Sequence, residues 1–122
     1  MSCLFQSLAK FTKQSADDIR GAVCDYLQQR GRIIEGLDTS EILKLEHEDY
    51  IDTMRKRSTW GGAIEIQAAC NVYGMRVSVV DSNTGRRIEF LPLDAKVSKD
   101  AELVWSGLHY EPVFTLGNVC TD

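Results

Sequence analysis

Trp105-Ser106-Gly107-Leu108-His109-Tyr110-Glu111-Pro112-Val113 sets an imidazole between apolar residues and a carboxylate just after a glycine. Ala101 to Trp105 ahead of it and Tyr110 to Leu116 behind it read as strands, so Ser106 to His109 is the corner between them. Upstream, Met75 to Asp81 alternates and is rich in valine, Ser82-Asn83-Thr84-Gly85 has turn chemistry, and Arg86 to Leu91 returns as a second strand that Pro92 ends. That is a hairpin. Strands therefore fill the last third of the chain, and what precedes them decides the class.

The first 73 residues carry helical spacing. Leu4, Leu8 and Phe11, with Phe5 beside them, predict a buried stripe on a helix over 3–13. Ser15-Ala16-Asp17-Asp18 is a capped start, and Ile19, Val23, Tyr26 and Leu27 form the inward face of a helix to about Gln29, stopped at Arg30-Gly31-Arg32. Thr39-Ser40-Glu41 opens a further helical region of one or two short helices, with Ile42, Leu45, Tyr50, Ile51 and Met54 as apolar contributors. After Trp60-Gly61-Gly62 a last helix should bury Ile64 or Ile66, Ala69, Val72 and Tyr73 in part. Helices first and strands last make the class α+β. No repeat, low-complexity tract or linker divides the 122 residues, so a single domain is expected.

Charge and cysteine usage exclude several functions. The net charge is −4, and the 14 basic residues are dispersed apart from Arg55-Lys56-Arg57 and Arg86-Arg87. A nucleic-acid domain gathers such residues into one basic surface, so no nucleic-acid partner is expected. The triple basic run suits the solvated end of a helix. No apolar run approaches the roughly 20 residues needed to cross a bilayer, so no membrane partner is expected either. Cys3, Cys24, Cys70 and Cys120 form no Cys-x-x-Cys pair, which fits neither a zinc site nor a disulfide-dense scaffold. Nor does the N-terminus have the apolar stretch of a signal peptide, and a reducing, cytoplasmic setting is the simplest expectation.

Candidate chemistry narrows to a few side chains. His47 stands between Glu46 and Glu48, an acidic neighbourhood that favours a protonated, solvent-facing ring. His109 is then the candidate general base. Cys3, at the first turn of the first helix, reads either as a small apolar residue near a frayed terminus or as a thiol where unpaired N–H groups and the helix dipole favour a thiolate, whereas Cys24 and Cys70 fall inside helices and read as core. Trp60-Gly61-Gly62 reads either as a capped turn with a packed indole or as a wall where a glycine-rich peptide passes an aromatic ring.

Cys3-Leu4-Phe5, Trp60-Gly61-Gly62-Ala63-Ile64-Glu65-Ile66 and Leu108-His109-Tyr110-Glu111-Pro112-Val113, in this order and spacing, resemble the ovarian tumour (OTU) family of papain-like cysteine deubiquitinases over nearly the whole chain. The resemblance implies a papain-like α+β fold with a small mixed or antiparallel sheet packed between helices. It also implies a thiol isopeptidase cutting after the C-terminal Gly-Gly of ubiquitin or a ubiquitin-like protein, its expected partner. Cys3 matches the nucleophile, His109 the base, and Glu111 the position of an Asp or Asn that orients the imidazole. Trp60, Gly61, Gly62, Leu108 and Tyr110 would line the substrate channel. No metal or organic cofactor is implied.

Two departures accompany the match. Glu111 replaces the shorter Asp or Asn, and only Met1 and Ser2 precede Cys3 where the family has Asp-Gly and one further residue in its oxyanion loop. Loss of one oxyanion donor typically costs about 10²–10³ in rate. The expectation is therefore an enzyme in design, with two alternatives: a weak or inactive ubiquitin-binding module, or a peptidase acting on a polyprotein or a different modifier.

Overall fold

The computed structural model describes residues 3–107 and 109–113, Cys3 by its backbone alone. Among the described residues, five helices, α1 (Cys3–Ala9), α2 (Ala16–Gln28), α3 (Thr39–Glu46), α4 (Tyr50–Met54) and α5 (Ala63–Tyr73), precede four strands, β1 (Met75–Asp81), β2 (Arg87–Phe90), β3 (Lys99–Trp105) and β4 (Tyr110–Val113). The strand order is β2-β1-β3-β4. β1 pairs antiparallel with β2 and parallel with β3, and β3 pairs antiparallel with β4. The sheet is therefore mixed, as expected. Pro112, which has no N–H to give a ladder, sits in β4 at one end of that order.

Local chemistry sets the helix bounds. Ser15 Oγ accepts the Asp18 N–H at 3.1 Å, and Asp17 and Asp18 complement the dipole of α2. Past the end of α2, the Tyr26 ring leaves room for no side chain at position 31, where an added Cβ would lie 2.3 Å from the ring. α1 is shorter than the predicted 3–13: it ends at Ala9, where the Lys10 and Phe11 N–H groups turn back to the Ser7 and Leu8 carbonyls. Phe11 is consequently only half-buried. The region after Thr39 is indeed two helices, parted at His47-Glu48-Asp49.

That break corrects one expected core residue. Leu45 is 85% exposed, and Leu43, at 5%, points inward in its place. α3 takes its inward face from Thr39, whose hydroxyl donates to the Gly31 carbonyl at 2.5 Å, and Leu43 follows one turn later on the same side. The other core residues come from every helix and from the strands β1 and β3: Leu4, Phe5, Leu8, Ile19, Val23, Leu27, Tyr50, Met54, Ile66, Ala69, Val77 and Leu103 among them. α5 packs on β1 and β2, α2 on α5, and α1 on both α2 and β4. The last of these contacts joins the two ends of the chain.

Candidate active site

Helix α1 begins at Cys3 and is held by the wholly buried Leu4, Phe5 and Leu8. Its fifth residue, Ser7, is buried and donates its hydroxyl to the Tyr110 carbonyl at 3.0 Å, across 103 positions. The cysteine helix is thereby tied to the strand that follows His109. The Cys3 side chain and Leu108 lie outside the described residues.

The corner carrying His109 is a closed turn. The Ser106 N–H donates to the His109 carbonyl at 3.0 Å and the His109 N–H to Ser106 Oγ at 3.3 Å. Gly107 has a φ of 99°, which a side chain would strain. His109 is exposed, and its ring lies 5.9 Å from that of Trp60, centroid to centroid. Tyr110 is half-buried with its ring 6.4 Å from Trp105. Glu111 is exposed and opposite Val104 in the ladder; no hydrogen bond among the described side chains joins it to His109.

Gly61 and Gly62 differ in what they need. A Cβ at position 61 would come within 2.7 Å of Leu4 Cδ2 and 3.2 Å of the Phe5 ring, so this peptide can lie against α1 only as glycine. Gly62 is the N-cap of α5, and its N–H donates to Glu65 Oε1 at 2.7 Å, the returning half of a capping box. The second Glu65 oxygen accepts from Tyr50 Oη at 2.5 Å. Glu65 is 1% exposed; burial raises its carboxyl above the usual carboxylate range, against the opposing effect of these two donors. Burial, then the Glu65 charge, pushes the Tyr50 phenol up as well.

The structure thus brings Trp60 against His109 and Gly61 against the Leu4 and Phe5 side chains of α1, and shows no hydrogen bond from Glu111 to the histidine among the described residues. Sequence reasoning missed three residues that build this arrangement: Ser7, Glu65 and Arg20. Glu65 had a signal, its place three residues after the N-cap. Arg20, buried beside Ile19 on the apolar stripe of α2, had none. His47 is exposed, with its ring 5.4 Å from Tyr50. Cys24 and Cys70 are buried, as expected, and burial pushes their thiols up to about 11 and about 12. Among the described residues no three His, Cys, Asp or Glu side chains come together as metal ligands, and no helix is long and apolar enough to cross a membrane.

The family model for OTU-like cysteine proteases matches residues 2–110. The chain belongs to this family. Ubiquitin thioesterase OTU1 of Xenopus laevis is 30% identical to it over 118 residues, which cover 92% of this chain and 37% of the relative. The Mus musculus protein of the same name is 40% identical over 77 residues, 63% of this chain and 22% of that one. The chain thus spans well under half the length of these relatives. A solved ovarian tumour domain in complex with ubiquitin superposes with a TM-score of 0.71 at 26% identity, over 90% of this chain and 62% of the other. An OTU deubiquitinase from Wolbachia pipientis wMel shares the fold, with a TM-score of 0.65 at 20% identity, covering 92% and 81%. The fold anticipated from the three motifs is the OTU fold.

Proposed function

We propose that residues 1–122 act as one OTU domain and hydrolyse the isopeptide or peptide bond after the C-terminal Gly-Gly of ubiquitin or a ubiquitin-like modifier, in the cytoplasm. The observation that carries this reading is the hydrogen bond from Ser7 Oγ to the Tyr110 carbonyl. It fastens the helix that Cys3 begins to the residue following His109, across 103 positions. The similar ovarian tumour domain solved in complex with ubiquitin supports the same partner.

In this reading His109 takes the Cys3 proton, and the thiolate attacks the carbonyl carbon at the end of the modifier's tail. As the tetrahedral intermediate collapses, His109 returns the proton to the departing lysine amine and the acyl group remains on sulfur as a thioester. Water, deprotonated by His109, then releases the carboxylate and restores the thiol. Glu111 would be the carboxylate that orients the imidazole, from its place two residues after His109. Trp60, Gly61, Gly62, Leu108 and Tyr110 line the path of the tail, and a wall made of glycine backbone and an aromatic face admits two glycines while rejecting larger side chains. A reducing compartment would keep the nucleophilic sulfur unoxidised.

A fluorogenic amide on the ubiquitin C-terminus tests the proposal. Turnover by the wild-type chain, abolished in Cys3→Ala and in His109→Ala, is the expected result. The same amide on another ubiquitin-like modifier reads selectivity, and a folded protein that turns over neither overturns the enzyme reading. The missing hydrogen bond between Glu111 and His109 favours a second reading, a binding module with little turnover. Saturable ubiquitin binding without hydrolysis would select it.

A further inference from the structure

Arg20 is 3% exposed in the middle of α2, and its guanidinium is spent on backbone. Nη1 donates to the Met54 carbonyl at 2.6 Å, and Nη2 to the carbonyls of Thr59 at 2.9 Å and Arg57 at 3.2 Å. Its Cζ lies 4.4 Å from the centroid of the Phe5 ring, within cation–π range. One side chain thus touches the residue before Trp60 and the residue two after Cys3. Phe5 in turn is the ring against which Gly61 is packed.

We propose that Arg20 is a positioning residue for the candidate active site, holding the segment that carries Trp60 and Gly61 in register with helix α1. The inference rests on the site assignment given under Proposed function, and Arg20 itself contacts neither Cys3 nor His109 through any bond described. A buried cation is a costly way to fill a core, since it must be desolvated. What it offers here is a rigid planar fork that binds several carbonyls at once, with a flat face left for an aromatic ring. Lysine, a flexible point charge, cannot reproduce that.

The experiment compares Arg20→Lys and Arg20→Met with Val23→Ala, a change one turn along α2 that weakens the core and keeps the Arg20 side chain. Two readouts are taken below the unfolding transition of every variant. The first, independent of activity, is the NMR shift of the His109 ring protons and the Trp60 indole N–H, which report the contact between the two rings. The second is the split between kcat and KM on the ubiquitin reporter. Both Arg20 variants should move the resonances and lower kcat, by about 10²-fold for a displacement on the order of 1 Å, with KM little changed. Val23→Ala should leave both at wild-type values. Wild-type resonances in the folded Arg20 variants, or equal shifts in Val23→Ala, would overturn the inference. If the wild type proves inactive, the enzyme reading fails and the resonances alone decide for or against Arg20. If neither Arg20 variant folds, Phe5→Leu, which removes the ring under the guanidinium, decides: moved resonances support the role and unmoved ones reject it.

Discussion

Glu65 is a carboxylate kept almost wholly from water by two donors, the Gly62 N–H and the Tyr50 hydroxyl. Its folded pKa is raised from an ordinary value of 4.5, with burial the leading cause. Between the ordinary and the raised value the native chain binds a proton that the unfolded chain has released. The stability Glu65 contributes is then fully present below the ordinary glutamate range and is lost as pH rises through the folded pKa. Glu65→Gln cannot ionise, so the stability of the wild type minus that of the variant, measured by urea unfolding over a pH series, should fall with rising pH. A difference that is flat or rising contradicts the assignment. Not every residue of this kind was legible beforehand. Cys24 and Cys70 were read as core because they fall inside helical apolar patterns, and both are buried. Arg20 resembles any surface arginine in sequence, because the carbonyls that receive it lie 34 to 39 positions away.

Elements were easier to read than their ends. The order of helices and strands, the β1–β2 hairpin and the corner before β4 follow from periodicity and turn chemistry, which are local. The length of α1 and the inward face of α3 depend on where neighbours accept hydrogen bonds, and these came out differently. Gly61 belongs to this scale because its smallness lets one element lie on another. Leu4 and Phe5, the side chains an added Cβ would meet, are buried in the core. Gly61→Ala is expected to destabilise the protein by about 1–3 kcal/mol in urea unfolding, the cost of overpacking a dense core. At Gly62 an added Cβ meets only Glu65 Oε1, at 4.0 Å, so Gly62→Ala should be the milder change. The reverse order would show that α1 is not pressed against this peptide.

For the whole molecule, the important geometry is long-range: Ser7 to Tyr110, Trp60 to His109, Gly61 to Leu4 and Phe5. Nothing in composition or spacing reveals these contacts. Only the meeting of Trp60 with the His109 corner is expected beforehand, because three short motifs together resemble the family whose model matches residues 2–110. What resemblance could not supply is how this chain holds the motifs in place, and that work falls to Ser7, Arg20 and Glu65. The central claim is that Cys3 is the nucleophile of a site that accepts the ubiquitin tail. It is tested most directly by intact mass after incubation with ubiquitin bearing a C-terminal thiol-reactive group. A single-ubiquitin adduct on the wild type that vanishes in Cys3→Ala is the expected result, because the buried Cys24 and Cys70 thiols, raised to about 11 and about 12, are poorly placed to substitute. No adduct from the folded wild type, or one that persists in Cys3→Ala, would contradict it.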